Sequence, residues 1–207
     1  MSSSLEVGKS SLISSMQQLS IDDWVKKLTS ISEKDFTIER ICDFTARYGI
    51  QAETLKPYVF YANSHYTRNL IFKCDLFEIL AICWNIGQVS RIHNHRDQNC
   101  WMVTPIGRLR VQNFRVESQD PATGECKIKP TDAYDMDPSH PAFVQPNEPV
   151  HQVLNLPEFN QQSTSVHIYS YPYQSCEVYS LDKGSYADVP LHYSSEYGKL
   201  DPEEKLS

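Results

Sequence analysis

The sequence predicts a mainly β protein, a sandwich or barrel with a few helices packed outside it. From Tyr66 onward, short runs rich in Val, Ile, Tyr, Phe and Thr alternate with clusters of Gly, Pro, Asn and Asp, a pattern typical of many short strands. Before Tyr66 the apolar residues recur at helical spacing instead. Because 207 residues suit one well-filled core, we predict a single domain of this class.

The charge, the apolar stretches and the cysteines of the chain argue against nucleic-acid-binding, membrane and secreted proteins. The chain holds 26 acidic against 19 basic residues, a net charge of −7, so we expect no nucleic-acid or anionic-membrane surface, because both need a concentrated basic face. No apolar stretch approaches the roughly eighteen residues that span a bilayer. The six cysteines lack a CxxC pair and no secretory signal is recognisable, which favours a reducing, cytoplasmic setting. We expect a monomer whose partners are small molecules.

The sequence pattern of the N-terminal part predicts helices. The serine-rich residues 1–19 are expected to form a flexible tail, and residues 20–62 the helical part of the domain. Ser20 and Thr37 favour helix N-termini, and each precedes a segment with apolar residues at helical spacing. A third short helix is expected over residues 52–61, entered or kinked near Pro57. The residues on one side of the first two helices are Ile21, Trp24 and Leu28, then Ile38, Ile41, Thr45 and Tyr48.

Residues 63–198 are expected to form a β-barrel. Six segments combine strand-favouring residues with flanking turn residues. They read "YTRNLIFK", "LFEILAICWN", "CWMVTPIGRLRVQNFRV", "AFVQP", "VHQVLNL" and "STSVHIYSY". In the third of them, "PIGR" is expected to turn the chain between two strands. The last residues, 199–207, are polar and expected to fray.

Three histidines are candidate metal ligands. His93 and His95 stand one residue apart in "RIHNHRDQNC", and in a strand residues i and i+2 point to the same face, so both imidazoles can reach one ion. His151 lies in "PNEPVHQVLN", after a proline-rich turn from which a returning strand can face the first pair. Imidazole suits Zn, Cu, Fe and Ni alike, so residue type alone does not select the metal.

The spacing around these histidines resembles the two cupin motifs, G(X)5HXH(X)3–4E(X)6G and G(X)5PXG(X)2H(X)3N. Two departures from the pattern stand out. Cys100 stands where the first motif has its metal-binding glutamate, and Glu148 stands where the second has a glycine. The resemblance implies a cupin fold, a double-stranded β-helix or jelly-roll barrel, with three histidine ligands and open coordination positions on the metal. The matching positions are Gly87, His93, His95, Gly107, Pro146, His151 and Asn155.

Within the cupins, the segment from about Tyr58 to Tyr173 resembles the cysteine dioxygenases, iron-dependent thiol dioxygenases. The resemblance implies that Fe(II) is held by His93, His95 and His151, with no carboxylate ligand. It further implies that L-cysteine and O2 are the partners, that cysteine sulfinate is the product, and that the reaction belongs to cysteine catabolism and taurine biosynthesis.

The same resemblance assigns substrate-binding residues. In that family the "YTRNL" segment binds the substrate carboxylate through a tyrosine and an arginine, which are Tyr66 and Arg68 here. The segment "ICWNIG" matches another strand of the site, with Trp84 in place although Asn85 replaces the usual glycine. Cys176 matches a cysteine near the substrate entrance.

Catalytic roles are also implied by the resemblance. Cys100 and Tyr169 match a pair that mammalian-type members join through a thioether beside the iron. Ser165 and His167 match a serine and histidine upstream of that tyrosine. Because residues 165, 167 and 169 alternate along a strand, they can line one interior face and form a relay from serine to imidazole to phenol.

Other interpretations stay open at this stage. A related thiol such as 3-mercaptopropionate is an alternative substrate, although its dioxygenases usually carry glutamine in place of Arg68. A non-catalytic metal-binding cupin is an alternative of another class, and a cupin isomerase would be expected to keep a carboxylate at position 100. Cys100 could also be a buried free thiol or a ligand of structural zinc. The remaining histidines with a structural interpretation are His65, His140 and His192.

Overall fold

A computed structural model describes the protein at residues 16–144 and 150–206. Within these residues two α-helices lie near the N-terminus, α1 (Ile21–Thr29) and α2 (Ile38–Arg47). Both begin as predicted, because the side chain of Ser20 accepts the N–H of Asp23 and that of Thr37 accepts the N–H of Arg40. Such caps stabilise a helix by about 1 kcal/mol each. The third predicted helix is a 3₁₀ helix, Ala52–Tyr58, and shorter 3₁₀ turns cover Glu33–Asp35 and Pro157–Phe159.

The remaining elements are strands. In chain order they are β1 (Gln17–Leu19), β2 (Tyr48–Ile50), β3 (Thr67–Lys73), β4 (Phe77–Trp84), β5 (Ile92–His93), β6 (Cys100–Ile106), β7 (Leu109–Asp120), β8 (Glu125–Met136), β9 (Ala142–Val144), β10 (Val150–Leu154), β11 (Ser163–Ser170), β12 (Ser175–Ser180), β13 (Ser185–Pro190), β14 (Ser195–Glu196) and β15 (Lys199–Leu200).

These strands build two sheets beside the short parallel pair β1–β2. Six of them close into a ring in the order β10, β5, β12, β13, β8 and β7, and seven form an open sheet in the order β15, β14, β3, β4, β11, β6 and β9. The predicted mainly β fold is confirmed, and the "PIGR" turn joins β6 to β7 as expected. At that turn Gly107 has a φ of 79°, and a Cβ there would meet the Ser163 hydroxyl, which explains the glycine of the first motif.

The central strands of the open sheet are buried on both faces. Every residue of β4 and β11 is buried, because α1 and α2 cover the outer face while the inner face lines the interior of the molecule. Trp24 and Leu28 of α1 are fully enclosed in this outer cluster; burying such a side chain stabilises the fold by roughly 1.5 to 3 kcal/mol. The helices therefore pack on the outer face of the open sheet, outside the β part of the domain, as predicted.

The predicted boundaries of both tails are wrong where the structure describes them. Residues 1–15 lie outside the described residues, but Gln17–Leu19 already form β1 and pair with β2. At the other end β15 pairs with β14, and the N–H of Asn63 donates to the carbonyl of Leu206 at 3.1 Å. The C-terminal segment is therefore attached to the fold through β14 and Asn63. Pro146 and Glu148 of the second motif lie outside the described residues.

No helix in the described part of the chain has the length and apolar character needed to cross a membrane.

Candidate metal centre and substrate cavity

Strand pairing brings the three predicted histidines together. His93 ends β5, His95 follows it, and His151 on β10 stands directly opposite His93 in the antiparallel pairing. Their candidate ligand nitrogens all lie within 4.8 Å of one another, and this is a cluster of imidazoles without a carboxylate or thiol among the described residues. The predicted third ligand, separated by more than fifty residues from the first two, is therefore placed correctly to share an ion with them.

The imidazoles of His93 and His95 have the protonation state and the open ring nitrogens that metal binding requires. Nδ1 of His93 lies 2.8 Å from the carbonyl of Arg91, and donating there leaves Nε2 as a free lone pair. Both ring nitrogens of His95 are buried without a hydrogen-bond partner in the described residues. Burial lowers the pKa of His93 to about 4 and, with the neighbouring His151 and His93, holds the pKa of His95 well below its usual value. Neutral imidazoles with an unfilled buried nitrogen fit a bound metal ion.

Glu177 anchors the backbone between the paired histidines. Its carboxylate accepts the side-chain amide of Asn94 at 2.6 Å and the hydroxyl of Tyr179 at 2.9 Å. Its own N–H donates to Oδ1 of Asn94 at 3.1 Å. Because Asn94 separates His93 from His95, these bonds hold the backbone segment from which both imidazoles project. Sequence gave no sign of this contact, since Asn94 and Glu177 lie far apart along the chain.

A chain of hydrogen bonds runs from Trp84 to Tyr169. Nε1 of Trp84 donates to Ser165 at 3.1 Å, Ser165 lies 2.8 Å from Nε2 of His167, and Nδ1 of His167 lies 3.0 Å from the hydroxyl of Tyr169. An indole N–H only donates, so all contacts are satisfied when Ser165 donates to His167 and His167 donates to Tyr169. The phenol hydrogen then stays available to a ligand. This is the predicted relay, extended by Trp84.

The relay groups are held in their neutral forms. Burial, together with the charge of Arg68, lowers the pKa of His167 to about 3. Burial and the nearby Cys100 raise the pKa of Tyr169 well above its usual value. Tyr169 is therefore a hydrogen-bond donor near His93, His95 and His151, the three histidines that we call the metal cluster. Its ring centroid lies 5.3 Å from that of His95.

Cys100 and Tyr169 are direct cross-strand neighbours. They stand opposite each other in the pairing of β6 with β11, and Sγ of Cys100 lies 3.8 Å from the same nitrogen of His167 that contacts the phenol. Both residues are almost completely buried, and burial raises the pKa of the Cys100 thiol. The cysteine lies beside the tyrosine and outside the metal cluster, which argues against its being a zinc ligand.

A cavity of about 290 Å³ opens beside the metal cluster. Its lining includes the candidate metal ligand His93 and the predicted substrate-binding residues Tyr66, Arg68 and Cys176, and it also includes Tyr173. Burial opposes the charge of Arg68, but the surrounding tyrosines raise its pKa above the ordinary value, so the guanidinium stays cationic. Its Nε is buried without a hydrogen-bond partner among the described residues. A carboxylate entering the cavity would fill that position.

The prediction for Trp84 needs correction, and two histidines have an additional position that the sequence did not indicate. Trp84, expected at the substrate, lies behind Tyr66, with the two ring centroids 4.6 Å apart, and it contacts the site residues Tyr66 and Ser165. His65 and His192, interpreted as structural, also line the cavity, and His65 has a structural contact as well, because its Nε2 lies 2.7 Å from the Glu204 carboxylate. They are exposed, and with Arg91 and Pro190 they form what we call the cavity mouth. The position of His65 immediately before Tyr66 was the available signal; Arg91 and His192 had none.

Acidification is expected to destabilise the metal-free protein. Imidazoles in the unfolded chain take up protons near pH 6.5. In the folded protein burial lowers the pKa of His93 to about 4 and that of His167 to about 3, so these side chains stay neutral to a lower pH. Between these pKa values and pH 6.5 the unfolded state binds more protons than the folded state. The contribution of the two neutral histidines to the free energy of unfolding is therefore complete above pH 6.5 and is lost as the pH falls. Denaturant unfolding between pH 7 and 5 measures this. His93→Gln should flatten the dependence, the exposed His140→Gln should not, and a pH-independent midpoint would contradict the expectation.

Comparison with known proteins matches a family model described as cysteine dioxygenase type I to residues 9–182. Cysteine dioxygenase type 1 of Danio rerio is 25% identical over 191 residues, covering 91% of this chain and 93% of the zebrafish protein. The Bos taurus protein of the same description is 26% identical over 170 residues, 82% of each. A solved Klebsiella pneumoniae structure, described as an uncharacterized conserved protein with a double-stranded β-helix domain, is 12% identical with a TM-score of 0.41, over 66% of this chain and 87% of that one. The family match spans all three histidines and Arg68.

Proposed function

Because this chain belongs to the cysteine dioxygenase type I family, we propose that it is a non-haem Fe(II)-dependent dioxygenase that oxidises the thiol of L-cysteine to cysteine sulfinate with O2. The choice of iron, the substrate and the product are parts of this proposal, as are a cytoplasmic location and a monomeric state. The observation that carries it is the cluster of three histidines without a carboxylate, opening onto a cavity that contains Arg68.

The residues present suit ferrous iron. His93, His95 and His151 would hold the ion through neutral nitrogens, which leaves its double charge uncompensated by the protein and favours anionic donors at the remaining positions. Bound Fe(II) would supply a Lewis-acidic, redox-active centre at which a thiolate and O2 can meet. The thiol proton is released and both oxygen atoms are added to sulfur, so the atoms balance without a further reductant.

Side chains of the cavity would orient the substrate. Arg68 faces the cavity with an unfilled donor and would bind the carboxylate, so the thiol is directed toward the histidines. Tyr169, kept protonated and fixed by His167 at 3.0 Å, would donate its phenol hydrogen to the reacting groups. Cys176 is nearly fully buried in the wall and would help keep water away from the reacting sulfur.

Oxygen uptake tests this proposal. Protein loaded anaerobically with Fe(II) should consume O2 on addition of L-cysteine and form cysteine sulfinate, whereas the zinc-loaded protein should do neither. Assays with 3-mercaptopropionate in competition measure the preference between the two thiols, and we expect Arg68 to favour cysteine. Tight zinc binding that iron cannot replace, together with no oxygen uptake on any small thiol, would contradict the proposal and favour a non-catalytic cupin.

Cys100 and Tyr169 are expected to become joined by a thioether during turnover. Linkage removes one hydrogen from the thiol and one from a ring carbon of the phenol, with O2 as the oxidant, so the linked peptides lose the mass of two hydrogens. Peptide mapping should find partial linkage that grows with turnover, and Cys100→Ser should remain unlinked. If Cys100 in unfolded, previously active protein is fully alkylated, this expectation is wrong, although the dioxygenase proposal can survive.

A further inference from the structure

The cavity wall holds two arginines and no carboxylate, while outside the wall Glu204 pairs with His65 of the mouth at 2.7 Å. Arg68 lies at the inner end beside His93, while Arg91, His65 and His192 lie at the exposed mouth. The described residues that line this cavity include no aspartate or glutamate. In a chain of net charge −7, a cavity with two arginines and no acidic side chain in its wall is suited to an anion.

Arg91 differs from other arginines of the protein. Arg47, Arg96, Arg108 and Arg110 each form an ion pair with an aspartate. The side chain of Arg91 has no ion pair or hydrogen bond with any residue in the described part of the chain. Its guanidinium is therefore available to a group that comes from outside.

The backbone holds Arg91 beside the metal cluster. Its carbonyl accepts hydrogen bonds from the hydroxyl of Ser90 at 3.0 Å and from Nδ1 of His93 at 2.8 Å. The residue that orients a metal ligand through its main chain thus presents its side chain to the cavity. The backbone from which this cation projects is therefore held in place relative to the three histidines.

The cavity is larger than cysteine requires. Its volume is about 290 Å³, and its lining extends from Arg68 to Arg91 and His192. Cysteine has seven non-hydrogen atoms, so with its carboxylate at Arg68 it leaves space toward the mouth. A thiol with an additional acidic group would fill that space and bring the second charge toward Arg91.

We propose that Arg91 forms a second anion-binding subsite, and that the site accepts thiols carrying two acidic groups, one bound at Arg68 and the other at Arg91. The oxidation of such thiols rests on the proposed function, whereas their binding at Arg91 does not. A charge-assisted contact of this kind changes affinity by about tenfold or more. The monoanion 3-mercaptopropionate and the dianion mercaptosuccinate, which differ by one carboxylate, are suitable probes.

Anaerobic calorimetry on the Fe(II)-loaded protein tests the subsite without turnover. The wild type should bind mercaptosuccinate at least about tenfold more tightly than 3-mercaptopropionate. Arg91→Gln should abolish that difference, Arg91→Lys should keep most of it, and Arg40→Gln, which removes an exposed charge of α2, should keep all of it. A wild type without the preference, or a preference that survives in Arg91→Gln, overturns the subsite.

The outcomes separate this inference from the proposed function. If cysteine is oxidised but affinity for the dianion does not depend on Arg91, the subsite is wrong and the dioxygenase stands. If the dianion binds through Arg91 but no thiol is oxidised in air, the subsite stands and the dioxygenase is wrong. Thermal unfolding of Arg91→Gln checks its folding, and Arg91→Lys supplies the readout if the glutamine variant does not fold.

Discussion

His151→Ala is expected to abolish both iron binding and thiol oxidation. His151 is one of three clustered imidazoles and stands directly opposite His93, so its loss leaves two ligands from alternate positions of one segment. Changes in the residues that only orient a metal ligand typically cost ten- to a hundredfold in affinity or activity, and loss of a ligand should exceed that range. Metal analysis after anaerobic loading and oxygen uptake with L-cysteine measure the two effects together.

A matched control separates this effect from a general loss of histidine. His140 is exposed and forms a hydrogen bond to Asp137 at 2.9 Å, away from the cluster. His140→Ala should retain iron and activity. If His151→Ala also retains both, the three-histidine centre is not the site of the reaction.

Arg68→Gln is expected to raise the KM for L-cysteine by about ten- to a hundredfold. A charge-assisted bond between the guanidinium and the substrate carboxylate contributes roughly 1.5 to 3 kcal/mol, which corresponds to that range of affinity. Because the amide still fits the cavity but lacks the charge, kcat should change less than KM, unless the misplaced thiol no longer reaches the metal. Initial rates over a range of cysteine concentrations give both constants.

Arg68→Lys keeps the charge but not the fork-shaped donor set, and it should recover part of the affinity. Arg40→Gln on α2 removes an exposed positive charge far from the cavity lining and should leave the kinetics unchanged. An unaltered KM in Arg68→Gln would show that the carboxylate binds elsewhere.

Much of the fold and of the metal cluster could be predicted because the signals are local. Ser20 and Thr37 mark the helix starts directly, and the spacing of His93 and His95 alone places two imidazoles on one face. The third ligand needed the motif that includes His151. The strand β8, by contrast, carries alternating charged residues and Pro130 with a largely exposed face, so its residues lack the apolar pattern that identifies a strand.

The residues that sequence missed come together only through tertiary register. Arg91 and His192 are 101 positions apart along the chain. They meet at the cavity because β5 pairs with β12 and β12 with β13, which ends just before His192. Glu177 reaches Asn94 through the same pairing. The correction to Trp84 has a similar origin: its indole stacks on Tyr66, a contact decided by how two strands and a loop pack. No local pattern contains that information.

Isotope labelling of the product tests the central claim most directly. Fe(II)-loaded protein supplied with L-cysteine under ¹⁸O2 should form cysteine sulfinate in which both added oxygen atoms are labelled, with one molecule of O2 consumed for each sulfinate. Mass spectrometry of the product reads the label, and zinc-loaded protein gives the background. Sulfinate with oxygen from water, or cystine as the sole product, would contradict the assignment of this site as a thiol dioxygenase.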